Sequence, residues 1–189
     1  MRLRLLGKIK SILFSDRKSD RDEYSIIFPY SNGKELKNQQ IWTNLQKGIL
    51  FEDNQVFIPW ATTFNELTEF AEKRVEYSDR TIWQFGDHTL FDGYNCFIEI
   101  SKWCISKSSA VISEIQVFLG YDEKGNYEFL KLKNKLTDLF GIPNSIQLEK
   151  FGDFDIGHLE WTNQAISIRL IGIDQHACKY SLRVGLKSN

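Results

Sequence analysis

The chain has 189 residues, 42% of them hydrophobic and 26% charged, with 5 Trp, 7 Tyr and 14 Phe; this is enough apolar material for a folded core and excludes a disordered chain. No stretch approaches the roughly 18 consecutive apolar residues of a membrane-spanning helix, and three cysteines without a C-x-x-C pair (Cys96, Cys104, Cys178) point to a reducing, cytoplasmic setting. The net charge of −1 conceals a strong asymmetry: residues 1–21 carry a net +5 and residues 52–101 a net −7.

The first segment, "MRLRLLGKIKSILF", begins like a signal peptide, but Gly7, Lys8 and Lys10 interrupt its apolar run and no small-residue cleavage site follows. Drawn as a helix it places Leu5, Leu6, Ile9, Ile12 and Leu13 on one stripe. It is expected to dock on the protein's own core or, through residues 1–14, on an anionic membrane. The charged run "SDRKSDRDE" then reads as a linker, which divides the chain into a basic segment, 1–21, and a single domain, 22–189.

"YSIIF" predicts a strand stopped by Pro29, "SNGK" a turn, and "GILFEDNQVFI" a β-hairpin closed at Pro59. Thr63 followed by Glu66 has the spacing of a capping box, with Phe64, Leu67, Phe70 and Ala71 on one face of a helix reaching about Arg74. Strands are expected at 80–86, 95–103 and 111–121, with the first two joined by the loop "FGDHTLFDG". A second helix runs through "YEFLKLKNKLTDLFG", its buried stripe made by Phe129, Leu132, Leu136, Leu139 and Phe140, and Gly141 and Pro143 end it. Strands at about 145–151, 157–162, 164–173 and 177–186 complete the chain.

This order implies an α+β protein: an antiparallel β-sheet with two main helices packed on one face. Helix starts near 63 and 127 also suggest a duplicated helix-plus-strands unit of TBP-like shape, an analogy of element order that the side chains of the two halves do not support by aligning.

The familiar enzyme signatures are missing: there is no phosphate loop, G-x-G-x-x-G, H-E-x-x-H or G-x-S-x-G. One metal set is conceivable, because alternation would put His158 and Glu160 on one strand face and Asp174, His176 and Cys178 on another. A metal- or thiol-dependent enzyme using His158, His176 and Cys178 is the alternative that this set defines. Polar alternation is equally what a solvated sheet face shows, and no short ligand spacing marks a site. A thiol at Cys104 or Cys178 lacks a fixed histidine partner, and Asp87 with Asp92, flanking His88, reads as turn chemistry more simply than as a carboxylate pair. No cofactor is expected.

Nucleic-acid binding is disfavoured, since the aromatic-rich region holds ten carboxylates that would repel phosphate. The same inversion suits a basic protein partner. An acidic, aromatic-rich face formed by Glu66, Glu69, Glu72, Trp83, Asp87 and Asp92 is expected to bind such a partner, as a bacterial immunity protein binds a toxin. A membrane-peripheral adaptor held by residues 1–14 is a further alternative.

Overall fold

The computed structural model describes residues 25–103, 110–119, 129–151, 154–174 and 178–187. Period-two alternation of apolar and polar side chains generates its dominant element, an eight-stranded antiparallel sheet. The strands are β3 (Lys73–Glu76), β4 (Arg80–Leu90), β5 (Tyr94–Trp103), β6 (Glu114–Leu119), β7 (Ser145–Phe151), β8 (Phe154–Asn163), β9 (Ile166–Asp174) and β10 (Cys178–Leu186), in the order β3-β4-β5-β6-β10-β9-β8-β7. A small hairpin pairs β1 (Gly48–Phe51) with β2 (Val56–Pro59), and two helices, α1 (Lys34–Leu45) and α2 (Phe129–Phe140), complete the described architecture.

Register makes the two faces of the sheet chemically distinct. Ile98, Val117, Leu182, Leu170 and Leu159 stand opposite one another across five strands, each at 0% exposure. One residue along, a polar row crosses all eight strands: Lys73, Gln84, Glu99, Gln116, Arg183, Arg169, Glu160 and Ser145. Within that row Gln84 donates to Glu99 (2.7 Å), and Glu114, from the neighbouring row, bridges Arg169 and Arg183.

The apolar face belongs to a single core that also takes Ile41 and Leu45 from α1, Ile49 and Phe51 from β1, and Leu132 and Leu136 from α2. Each such side chain contributes about 1.5–3 kcal/mol on burial. Rings knit the helices: Phe140 meets Trp42 edge-on at 5.1 Å and Phe91 at 5.4 Å. The end of α2 follows its sequence signals, with Gly141 at φ +85° and its carbonyl accepting the indole N–H of buried Trp161 (2.7 Å).

Four expectations are corrected. Residues 25–28 are not in a strand; the N–H and C=O of Ile27 are taken by the side-chain amide of Asn44 (3.0 and 2.9 Å), which fixes the segment beside α1. The helix α1 begins at Lys34, the last residue of "SNGK", with Gly33 in extended backbone at its N-cap. Around Glu66 the capping box forms, Glu66 Oε2 accepting from both the N–H and hydroxyl of Thr63 (2.7 and 2.8 Å), but only a 3-10 turn, Glu66–Glu69, follows it. Past that turn the chain is claimed by β3, whose pairing with β4 outweighs helix continuation. The segment read as the loop "FGDHTLFDG" is mostly strand: β4 continues to Leu90 through a bulge between Gln84 and Gly86, and the turn is confined to Phe91–Gly93. A duplicated unit is not shown: α1 and α2 each precede a four-strand meander, but the β1–β2 hairpin and the 3-10 turn stand between α1 and β3, whereas α2 leads directly into β7.

Candidate acidic interaction face

The β4 bulge organises the acidic region. Gly86 has φ +79°, and a Cβ placed there would lie 2.5 Å from Glu72 Oε2, so the missing side chain is what lets the Glu72 carboxylate rest against the strand. The next residue is exposed Asp87. One position further, His88 Nδ1 lies 2.9 Å from Asp53 Oδ2, and the Thr89 N–H donates to Asp53 Oδ1 at 2.9 Å. The His88 ring is stacked on Phe51 at 4.3 Å, which fixes its direction. Partial burial pushes the Asp53 carboxyl up, but the hydrogen bonds from His88 and Thr89 outweigh it and hold the group below its usual value of 3.8. Three carboxylates therefore meet β4 within residues 86–89. Glu69 is exposed on the preceding 3-10 turn, and among the described residues no lysine or arginine forms an ion pair with Glu69, Glu72 or Asp87.

The aromatic part of the expected face lies inside the protein. Trp83 is 3% exposed, its indole N–H directed at the Thr68 hydroxyl (3.3 Å) and its ring covered by the Arg74 guanidinium at 5.6 Å. Trp60, Phe64, Phe85, Phe91 and Tyr94 are buried as well, while Tyr77 is 51% exposed. Trp83 thus supports the face from beneath and presents no ring to a partner. Glu66 is engaged by Thr63, and Asp92 by Lys37 Nζ at 2.6 Å.

One carboxylate absent from the expected set has a structural task. Buried Glu52 accepts the N–H groups of Asp92 (2.8 Å) and Gly93 (2.7 Å), and so holds a turn in which Phe91, Asp92 and Gly93 all have positive φ. Burial, and then the nearby Glu52 charge, push the Tyr30 phenol well above its usual range. The sequence signal for this arrangement was the Asp92-Gly93 pair, which marks a turn without revealing what stabilises it.

The metal and thiol candidates are distributed differently. His158 stands opposite Ile171 on β9, and Glu160, opposite Arg169, accepts the Ser167 hydroxyl at 2.5 Å. Asp174 and Cys178 are register partners at the β9–β10 end, and His176 and Cys104 lie outside the described residues. Among the described residues no group of three or more His, Cys, Asp or Glu side chains could hold a metal ion. Cys96 is buried, and desolvation, followed by the charges of Glu52, Asp53 and Asp87, pushes its thiol up to about 12, which leaves it protonated at neutral pH. Asp87 faces Phe97 across the ladder whereas Asp92 sits in the turn bound to Lys37, so the two occupy separate environments. The basic stretch 1–14 lies outside the described residues, among which no helix is long and apolar enough to cross a membrane.

In comparisons with known proteins the chain matches no family model, no curated protein and no solved structure.

Proposed function

We propose that this chain is a non-enzymatic binding protein that docks a cationic protein partner on the acidic stretch around the β4 bulge, as a cytoplasmic immunity protein neutralises a basic toxin. The observation that carries this reading is the placement of Glu72, Asp87 and Asp53 along residues 86–89 of one strand, with Glu69 exposed on the preceding 3-10 turn. A strand fixed by ladder hydrogen bonds carries Asp87 and anchors Asp53 through His88 and Thr89, and a negative field of this kind raises the rate at which a basic partner arrives. With Trp83 and most neighbouring rings in the core, recognition rests on charge, and exposed Tyr77 is the aromatic contact available near β3.

The test begins with capture of partners on tagged full-length protein from cells grown beside toxin-producing neighbours. Binding of the captured protein is then measured at two salt concentrations for wild type and for Glu69→Lys/Glu72→Lys/Asp87→Lys. The expected result is a basic partner whose affinity falls at least about ten-fold in the variant, with a flatter salt dependence. An acidic partner, or an affinity and salt response that the charge reversal leaves unchanged, refutes the assignment.

A further inference from the structure

We infer that the outer edge of β7, which pairs with no other strand among the described residues, pairs with the same strand of a second copy, joining two eight-stranded sheets across a two-fold axis. The two edges of the sheet are built differently. At one end β3 is four residues long, and exposed Lys73, Arg74 and Glu76 blunt it, with Arg74 bonded to Glu76 at 2.5 Å. Short, charged strands are how sheet edges are protected from further pairing. At the other end β7 is seven residues long and carries Ile146 at 49% exposure and Leu148 at 46%, with Ile142 at 82% just before it.

The apolar row of the core leads straight to this edge. Leu159, at 0% exposure, stands opposite Ile146, at 49%, so burial collapses in one step beyond the last of the described strands. The backbone also points the right way. A Cβ on Gly157 would lie 2.2 Å from the Gln147 carbonyl oxygen, which places that oxygen on the β8 side. By antiparallel alternation the N–H and C=O groups of Ile146 and Leu148 then face outward.

The sequence of β7 selects a second copy as the occupant, because it is complementary to itself. With the two-fold axis at Gln147, Ile146 lies opposite Leu148 of the partner subunit, and Ser145 opposite Glu149 of the partner subunit. Both outward-facing residues then bond to apolar counterparts, and no like charges meet. Sliding the axis to Leu148 sets Ile146 against the partner's Lys150, and sliding it to Glu149 sets two glutamates face to face. Of these three registers, the Gln147-centred one carries the apolar row across the junction.

Sedimentation of the full chain at increasing concentration is expected to show a species of twice the 22.1 kDa chain mass, converted to monomer by Ile146→Lys/Leu148→Lys with the far-UV spectrum retained. Should that variant fail to fold, Leu148→Pro removes the outward N–H and spares the β8 ladder. Independently, Gln147→Cys in a Cys104→Ser/Cys178→Ser background is expected to form a disulfide-linked dimer on mild oxidation, since residues opposed in a non-hydrogen-bonded pair have Cα atoms about 4.5 Å apart. A chain that stays monomeric at all concentrations, a dimer indifferent to Ile146→Lys/Leu148→Lys, or failure of the cross-link overturns the inference. A monomer whose Ile146 and Leu148 amides resist hydrogen exchange also overturns it, by showing the edge covered within one chain.

Discussion

Replacing Glu52 by Gln tests the account of the Phe91–Gly93 turn. Two backbone N–H groups converge on this carboxylate at 2.8 and 2.7 Å, and the turn holds φ values of +53° at Phe91, +73° at Asp92 and +84° at Gly93. A left-handed backbone costs a non-glycine residue roughly 1–2 kcal/mol, so the turn needs a compensating partner. A hydrogen bond to a charged acceptor contributes about 1.5–3 kcal/mol, and a buried N–H left unsatisfied costs about 1–3 kcal/mol. Glutamine keeps one acceptor and turns an NH2 group toward the second N–H. Relief from burying a charge offsets part of the loss, so the expected destabilisation is about 2–4 kcal/mol, a large share of the roughly 5–15 kcal/mol of a typical domain. Urea unfolding followed by tryptophan fluorescence should give a lower midpoint at unchanged slope. Hydrogen exchange should show the Asp92 and Gly93 amides accelerated before global unfolding. A loss below about 1 kcal/mol with both amides still slow would refute the view that Glu52 holds the turn.

Three further outcomes are expected. Asp53 has a folded-state pKa below its unfolded value of 3.8, so the stability it contributes is present above about pH 4 and disappears as pH falls through the folded value; Asp53→Asn should lower stability at pH 6 and converge with wild type near pH 2, and a constant gap in urea midpoints across that range would disprove the linkage. Cys96, its thiol pushed up to about 12, should resist a thiol reagent at pH 8 in the Cys104→Ser/Cys178→Ser background until the protein unfolds; labelling faster than unfolding would contradict its burial. Gly86→Ala should cost about 1–3 kcal/mol, because φ +79° disfavours any side chain and the new Cβ displaces the Glu72 carboxylate, and a thermal midpoint equal to wild type would show that the bulge tolerates a side chain.

The later elements were legible because their local signals and their packing agree. Leu132 and Leu136 repeat at helical spacing and are both buried, and Gly141 stops α2 where its sequence position says it should. Residues 145–151 alternate and form β7 over that same span. The early elements were harder to read. In α1 only Leu36, Ile41, Trp42 and Leu45 are apolar, and Leu36 is exposed, so the helix lacks a strong stripe and is held by tertiary bonds such as Asn44 to Ile27. The capping box at Thr63 was read correctly as a local interaction and incorrectly as the start of a long helix, since pairing of Arg74 and Val75 with β4 depends on residues not adjacent in sequence. For the candidate face, residue type located the charges but could not separate Trp83, which is internal, from Asp87, which is exposed. Burial of an aromatic ring beside carboxylates is a property of strand register, and the bulge at Gly86 shifts that register by one residue.

The position of β10 has a bearing on how the protein is made. The neighbours β3-β4-β5-β6 form one meander and β7-β8-β9-β10 another, and among the described strands the backbone ladder joins them through the pairing of β10 with β6. During synthesis the first meander emerges with β6 as a bare edge, and it keeps that edge until residues 178–186 leave the ribosome. A chain cut short by premature termination or proteolytic trimming before Cys178 would therefore be more than a weaker version of the protein. It would carry two further raw edges, β6 and β9, with Val117 and Leu170 uncovered on either side of the gap left by Leu182. Unpaired hydrophobic edges of this kind are templates for aggregation, so degradation machinery reading exposed strands would discriminate sharply between a chain that contains β10 and one that lacks it.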